Sequence, residues 1–519
     1  MRTFRVGVSF LWTVLLAGAV LLPCRAGNVA NPDAVELKPL PVPVVFESDM
    51  DRPIRFDASL RIRLSVADPG ARTASADWLA RRLADWFPVS VPTVETAEDA
   101  KAVNGGDEAY AVAADGDGVR IDANTIKGVR YALYTIRQLA IARRGTRTVE
   151  GYLLPRLKIE DHPALSFRAL HLCWFPETTA KQVERSVRLA ALLKYNHVII
   201  ETWGTYESAR YPWWGWADEK VMSKKSIRRL VEIGRELGVT LVPQLNAFGH
   251  ATLAGTGSLK HAVLDLHPEY EPLFEPGGWN WCLTNPEAGK VLRGLIDEMH
   301  EDFGRPPFFH IGCDEAQPPS CPECRRGAYA DKVTAHIRFL ADVLERRGAR
   351  AMIWHDMFLQ EGDPRWKEDY ANGSAAMAAK IADLPRSVVI CDWNYRPPRQ
   401  NGEYPSFRYF KDMGFDVLTC PYDEVKTIDA QAKAARKEGI FGFLGTTWLY
   451  PEGVAFSKLV THDAFAAWGG TADEYEKPWN SRFLTLLRHV GWDMNVRDRT
   501  LTGVYRYQYH PYGGTKDSK

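Results

Sequence analysis

Pro307-Phe308-Phe309-His310-Ile311-Gly312-Cys313-Asp314-Glu315 places an apolar run directly ahead of two adjacent carboxylates. The run reads as a buried strand and the acids as its C-terminal end. Two buried carboxylates repel one another and lose hydration, so one tends to hold its proton while the other stays ionised. That division suits a general acid working beside an electrostatic partner. The alternative is a helix start, where acidic residues meet the positive end of the backbone dipole.

Outward from this stretch the pattern is short apolar strand, loop and amphipathic helix, repeated. Strand candidates are Phe167–Trp174, His197–Thr202, Thr240–Asn246, Pro307–Asp314, Arg350–His355, Ser387–Trp393, Phe415–Pro421 and Ile440–Trp448. Helical patterns separate them, among them Ala180–Tyr195, Ser226–Leu237, Glu287–Phe303 and Lys332–Arg347. Eight such units predict an α/β chain closed as a (β/α)₈ TIM barrel, with its active groups at the C-terminal strand ends. Ahead of it, alternating runs such as Leu60–Leu64, a helix over Ala76–Phe87, an Ala109–Ala113/Gly118–Ile121 pair joined through an Asp-Gly turn and a helix over Lys127–Ala142 predict a smaller α+β domain. The resulting division is a signal peptide over 1–26, an accessory domain over 27–160, a barrel over 161–490 and a tail over 491–519.

The signal rests on Arg2 and Arg5, the uncharged run Val6–Leu22 and Pro23-Cys24-Arg25-Ala26. The expectation is export after cleavage behind Ala26, either periplasmic or secreted. An uncleaved anchor and a lipid on Cys24 are its rivals, although Pro23 fits a lipobox poorly. A formal net charge of zero removes the electrostatic case for nucleic acid or an anionic membrane surface. Signal removal leaves seven of the eight cysteines, so at least one lacks an intrachain partner. Cys321-Pro322-Glu323-Cys324 has the spacing of half a zinc site, but no second Cys-x-x-Cys follows it. A loop disulfide or two free thiols is the reading taken, with no metal and no cofactor.

Several distinctive side chains fall at predicted strand ends: Trp354 and Asp356, Trp393 and Tyr395, Tyr422 and Asp423, and Trp448. A flat indole covers the C–H face of a pyranose and leaves its hydroxyls to polar groups, so Trp354, Trp393 and Trp448 together predict a sugar pocket. Core packing is the plainer account of any one of them.

The ordered motifs resemble glycoside hydrolase family 20, the β-N-acetylhexosaminidases. His310–Glu315 matches its His-Ile/Val-Gly-Gly/Ala-Asp-Glu, and Pro243–His250 parallels its Pro-Glu-x-x-x-x-Gly-His. Leu283–Pro286, Ile159–Pro163 with Phe167-Arg168, and Gly128–Leu139 match in the same order. The resemblance implies an exo-acting enzyme that removes terminal β-linked GlcNAc or GalNAc by a retaining, substrate-assisted route. It implies Glu315 as general acid and later base, and Asp314 as the group that orients the acetamido and offsets the oxazolinium charge. It further implies Arg168 as a grip on sugar hydroxyls, Tyr422 or its competitor Tyr395 at the acetamido oxygen, and His250 near the acid. For Arg168 the alternative is an ordinary ion pair.

Departures bear on specificity. Cys313 stands where Gly or Ala is usual, Gln244 replaces a frequent Glu, and Trp448–Glu452 interrupts the usual Trp-x-Glu. Glu201 lies near the place of a common Asp and is a candidate partner for His250. The expected partner is a carbohydrate, with no nucleic acid and no membrane span after signal removal. A modified hexosamine as substrate and a non-catalytic carbohydrate-binding barrel are the other readings.

Overall fold

In β2 (Arg61–Val66) exposed arginines alternate with buried Ile62 and Leu64, the pattern of a strand with one face on a core. It belongs to a sheet with β1 (Val45–Phe56), β3 (Thr93–Ala97), β4 (Tyr110–Asp115), β5 (Gly118–Ala123), β6 (Ile141–Arg144) and β7 (Val149–Asp161). The strand order is β1-β7-β4-β5-β2-β3, with β6 added to β7. β4 and β5 form the hairpin read from the Asp-Gly turn, in register from Asp115↔Gly118 to Tyr110↔Ala123. Helices Arg72–Trp86 and Ile126–Leu139 pack on this sheet and on each other. The computed structural model describes residues 38–470 apart from 90, 99, 145–148, 216–220, 253–262, 368, 399–401, 449–450 and 452. The signal peptide with Cys24, accessory-domain residues 27–37, barrel residues 471–490, the tail 491–519 and Glu452 lie outside the described residues.

Eight strands then close a parallel barrel: β8 (Phe167–Trp174), β9 (His197–Thr202), β10 (Thr240–Gln244), β11 (Phe308–His310), β12 (Arg350–Trp354), β13 (Val389–Trp393), β14 (Asp416–Cys420) and β15 (Gly442–Gly445). Closure is between β15 and β8, from Gly442↔Phe167 to Gly445↔Leu170. Every residue of β8 is buried, as expected where helices cover one face and the barrel interior the other. Ala169, Ile199, Val242, Met352, Val389, Leu418 and Leu444 fill that interior, so the barrel is packed and its chemistry is confined to one mouth. The helices are bounded by local chemistry: Thr179 and Gln182 form a reciprocal capping box that starts Ala180–Leu192, and left-handed Gly238 ends Lys224–Leu237. Among the described residues no helix is long and apolar enough to cross a membrane.

The N-terminal ends of the barrel strands carry the seam with the first sheet, and Arg168 belongs to that seam. It is the second residue of β8 and 1% exposed. Its guanidinium pairs with Glu108 at 2.8 Å and bonds the Tyr131 hydroxyl at 2.9 Å and the Lys194 carbonyl at 3.0 Å. This corrects the reading of Arg168 as a sugar ligand. A residue at the start of a barrel strand is a strand's length from the mouth, and its bonds hold the accessory sheet to the barrel. Beside it Lys194, fully buried, pairs with Asp161 at 2.8 Å, and Trp468 donates its indole N–H to the same carboxylate at 2.8 Å.

Candidate active site

The acidic stretch is bent rather than extended. Only Phe308–His310 pairs as strand, because Gly312, Cys313 and Glu315 take positive φ values of 70°, 81° and 44°. For cysteine and glutamate that region is sparsely populated and persists where the surroundings enforce it. Two glycines allow it. A Cβ on Gly312 would lie 2.6 Å from Asn246 Oδ1, and one on Gly249 would lie 2.1 Å from the Asp314 carbonyl oxygen. Glu315 is held from below: its backbone N–H donates to Asp356 Oδ2 at 2.9 Å.

Asp356 is buried and also accepts from Asn372 Nδ2 at 2.8 Å and Trp393 Nε1 at 3.2 Å. Burial, reinforced by the charge of Asp314, pushes its carboxyl up to about 7, although these three donors oppose the shift. His250, itself at positive φ, points Nε2 at both acids, 3.3 Å from Asp314 Oδ2 and 3.3 Å from Glu315 Oε2. Burial works against its charged form, but Asp314 and Glu315 outweigh it and raise the imidazole to about 10. The residue is therefore an imidazolium at neutral pH, a charged clamp on the acid pair. Asp314 Oδ1 is buried and has no hydrogen-bond partner among the described residues, whereas the Glu315 side chain is 46% exposed. One carboxylate has an acceptor waiting inside and the other reaches solvent.

Above the acids the walls are aromatic. Trp203, Trp354, Trp393, Tyr395, Tyr422 and Trp448 join Glu201, His250, Asp314 and Glu315 around a cavity of about 290 Å³. That lies at the small end of ligand pockets and fits a single sugar unit better than a chain. The Trp448 indole N–H donates to the Tyr395 hydroxyl at 2.7 Å, the rings of Tyr395 and Tyr422 are 5.3 Å apart, and Tyr370 stacks behind Trp393 at 4.3 Å. Burial raises the Tyr422 phenol above its ordinary value, with Asp423 and Cys173 adding to it, so it stays a hydrogen-bond donor.

The structure thus brings together Asp314, Glu315, His250, Trp354, Trp393, Tyr395, Tyr422 and Trp448, and leaves Arg168 out. Trp203 and the rim residue Trp279, which packs on His250 and donates to the Glu315 carbonyl at 2.8 Å, were missed. Trp203 carried a signal, since it follows directly on β9; Trp279 sits in a loop with none. Glu201 lines the pocket but does not partner His250. It accepts from Asn246 Nδ2 at 2.8 Å and sits 3.0 Å from His171 Nε2. His310 is architectural: fully buried, it accepts the Gly312 N–H at 3.0 Å, and burial, helped by His171, holds it far below its usual pKa and so neutral. Cys313 stays a thiol, pushed up by burial and by the charges of Asp314 and Asp356.

The family model for the "Glycosyl hydrolase family 20, catalytic domain" matches residues 180–448, and that for "domain 2" of the same family matches 36–162. The chain belongs to glycosyl hydrolase family 20. Among curated relatives, the beta-hexosaminidase subunit beta of Entamoeba histolytica is 27% identical over 225 residues, covering 40% of this chain and 38% of that protein. The beta-N-acetylhexosaminidase of Cellulomonas fimi is 26% identical over 410 residues, covering 73% of this chain and 76% of that one. The chain spans between 38 and 56% of the length of three of its curated relatives. In fold it is similar to the crystal structure of a beta-N-acetylhexosaminidase from Bacteroides fragilis, with a TM-score of 0.63 at 18% identity over 88% of this chain and 96% of that one.

Proposed function

We propose that this family 20 chain is an exo-acting, retaining β-N-acetylhexosaminidase whose nucleophile is the substrate's own 2-acetamido oxygen. One observation carries the reading: the carboxylates of Asp314 and Glu315 both lie 3.3 Å from the same His250 nitrogen, at the floor of a pocket walled by aromatic rings. A retaining enzyme with its own nucleophile sets two carboxyl groups about 5–5.5 Å apart on either side of the sugar. Asp314 and Glu315 are instead chain neighbours held by one imidazole, which favours Asp314 as the partner of the acetamido N–H over Asp314 as a nucleophile on the opposite face of the sugar. The remaining pocket carboxylate, Glu201, is buried and engaged by Asn246 and His171.

In this reading the sugar stacks on the tryptophans and Asp314 Oδ1 accepts the acetamido N–H. That turns the carbonyl oxygen toward the anomeric carbon. Glu315 protonates the departing oxygen, and the Asp314 charge steadies the oxazolinium that forms. Glu315 then takes a proton from the water that opens the ring. A hydroxyl of Tyr422 or Tyr395 donates to the acetamido oxygen. The names of the Entamoeba histolytica and Cellulomonas fimi relatives support a terminal hexosamine as the substrate. Export remains part of the proposal, on the strength of the first 26 residues, and N-terminal sequencing of the mature protein tests it.

A second reading, a differently substituted hexosamine, is favoured by one feature. The described pocket lining carries no Arg or Lys to hold outer hydroxyls. A panel of aryl β-glycosides that vary only at C2 and C4 separates the two. Fastest cleavage of the GlcNAc or GalNAc member supports the first; activity confined to another 2-substituent supports the second. Sugar binding with no turnover of any member overturns both.

A further inference from the structure

Beside the acid pair, the half-motif Cys321-Pro322-Glu323-Cys324 meets two residues distant in sequence, Cys282 and Glu275. The three sulfurs and one carboxylate oxygen of this group all lie within 4.8 Å of one another. Cys282, Cys324 and Glu275 are buried, and Cys321 is half-buried. The Glu275 carboxylate is divided. Its Oε2 accepts the backbone N–H groups of Ser320 at 2.8 Å and Cys321 at 2.6 Å. Its Oε1 is buried and, among the described residues, meets no N–H or hydroxyl donor; the group beside it is the weakly donating Cys324 thiol. A buried carboxylate oxygen left in that condition is costly and calls for a cation or a donor.

The spacing of one sulfur pair bears on the choice between a bridge and a metal. Cys282 Sγ and Cys324 Sγ are 3.7 Å apart. A disulfide requires about 2.0 Å, and bridging these two means closing that gap against packed surroundings. Two thiolates on a tetrahedral ion with metal–sulfur bonds of about 2.3 Å sit about 3.8 Å apart. We infer that Cys282, Cys321, Cys324 and Glu275 form a four-coordinate zinc site. The donor set of three soft thiolates and one carboxylate suits zinc and not calcium or magnesium. Four protein ligands leave no open position, so the ion is structural. Lys332 lies against the group, donating to the carbonyls of Glu323 and Cys324 at 3.3 and 3.1 Å, and tempers its negative charge.

The site has a position worth holding. Glu275 and Cys282 bracket the turn that carries Trp279, whose indole N–H donates to the Glu315 carbonyl, and Asn280, which exchanges hydrogen bonds with the Gln317 backbone at 2.7 and 3.2 Å. The metal would tie this rim to the segment that follows Glu315. It stands independently of which sugar the enzyme cleaves.

The test uses the full chain purified under reducing conditions without added metal. The expected result is stoichiometric zinc by mass spectrometry. Cobalt exchange is expected to give thiolate-to-metal charge-transfer bands and the visible spectrum of a tetrahedral ion. Cys282→Ser and Cys324→Ser are expected to lose the metal, and Glu275→Gln, which keeps all three sulfurs, to lose zinc to a chromophoric chelator that the native protein resists. To separate metal loss from misfolding of the serine variants, the native chain, stripped of metal and fully reduced, is also titrated with zinc against that chelator while circular dichroism follows its fold. Absence of zinc as purified together with no uptake on titration overturns the site, as does a disulfide between any two of the three cysteines in peptides mapped from fresh protein.

Discussion

Glu315 hangs from Asp356: the backbone N–H of the residue assigned as acid donates to the Asp356 carboxylate at 2.9 Å and anchors a glutamate whose φ is +44°. Asp356 is fully buried and lies behind the residues that line the pocket. It is a positioning residue that also senses the Asp314 charge.

Its titration gives the first expectation. The folded chain holds the Asp356 proton up to about 7, whereas the unfolded chain releases it near the ordinary Asp value of 3.8. Between those values the folded state binds more protons, so this group's contribution to stability is full below the window and falls as pH rises through it. Asp356→Asn should flatten that part of the profile, read as the difference in urea midpoint between variant and native chain at pH 4.5 and pH 7.5. It should also lower kcat by roughly 10-fold with little change in KM, the split expected for a loosened Glu315.

His250 works in the alkaline range. Its imidazole is raised from 6.5 to about 10 by the two acids, so its contribution to stability is present below 6.5 and is lost as pH climbs toward 10. His250→Gln should remove that alkaline decline and cost activity at neutral pH. A native urea midpoint that tracks the variant's across pH 7 to 10 would contradict the clamp.

Arg168 separates a seam from a sugar contact. Arg168→Met leaves Glu108 charged and buried, and should destabilise the chain by about 3–5 kcal/mol. KM for an aryl hexosaminide should not move in the fraction that stays folded. Adding Glu108→Gln should recover part of the loss.

That position also shows what the sequence makes legible. The eight barrel strands were readable because each is an apolar run buried on both faces, and the acids because a carboxylate pair behind such a run has few other uses. The apolar run predicts β11 as far as Asp314 and the strand stops at His310, because nothing in the sequence reports that Cys313 takes a φ of 81°. Arg168 was misplaced through its motif, although its own place as the second residue of a strand pointed to the far end of the barrel. The grouping of Cys282 and Glu275 with Cys321 and Cys324 had no signal in spacing, since only the folded loops bring them together.

Glu315→Gln should cost about 10²–10⁴-fold on substrates with poor leaving groups and much less on a nitrophenyl glycoside, whose phenolate departs with little protonation. Equal losses on both would remove the acid role.

The central claim is that the substrate supplies the nucleophile. The most direct measurement is kcat/KM for nitrophenyl 2-acetamido-2-deoxy-β-glucoside beside the 2-hydroxy β-glucoside and a series in which the N-acetyl group is progressively fluorinated. The expected result is cleavage of the acetamide, near silence on the glucoside and a rate that drops with each fluorine as the carbonyl oxygen loses nucleophilicity. Comparable rates on acetamide and glucoside, or a sugar ester trapped on Glu201 or any other carboxylate, would contradict it.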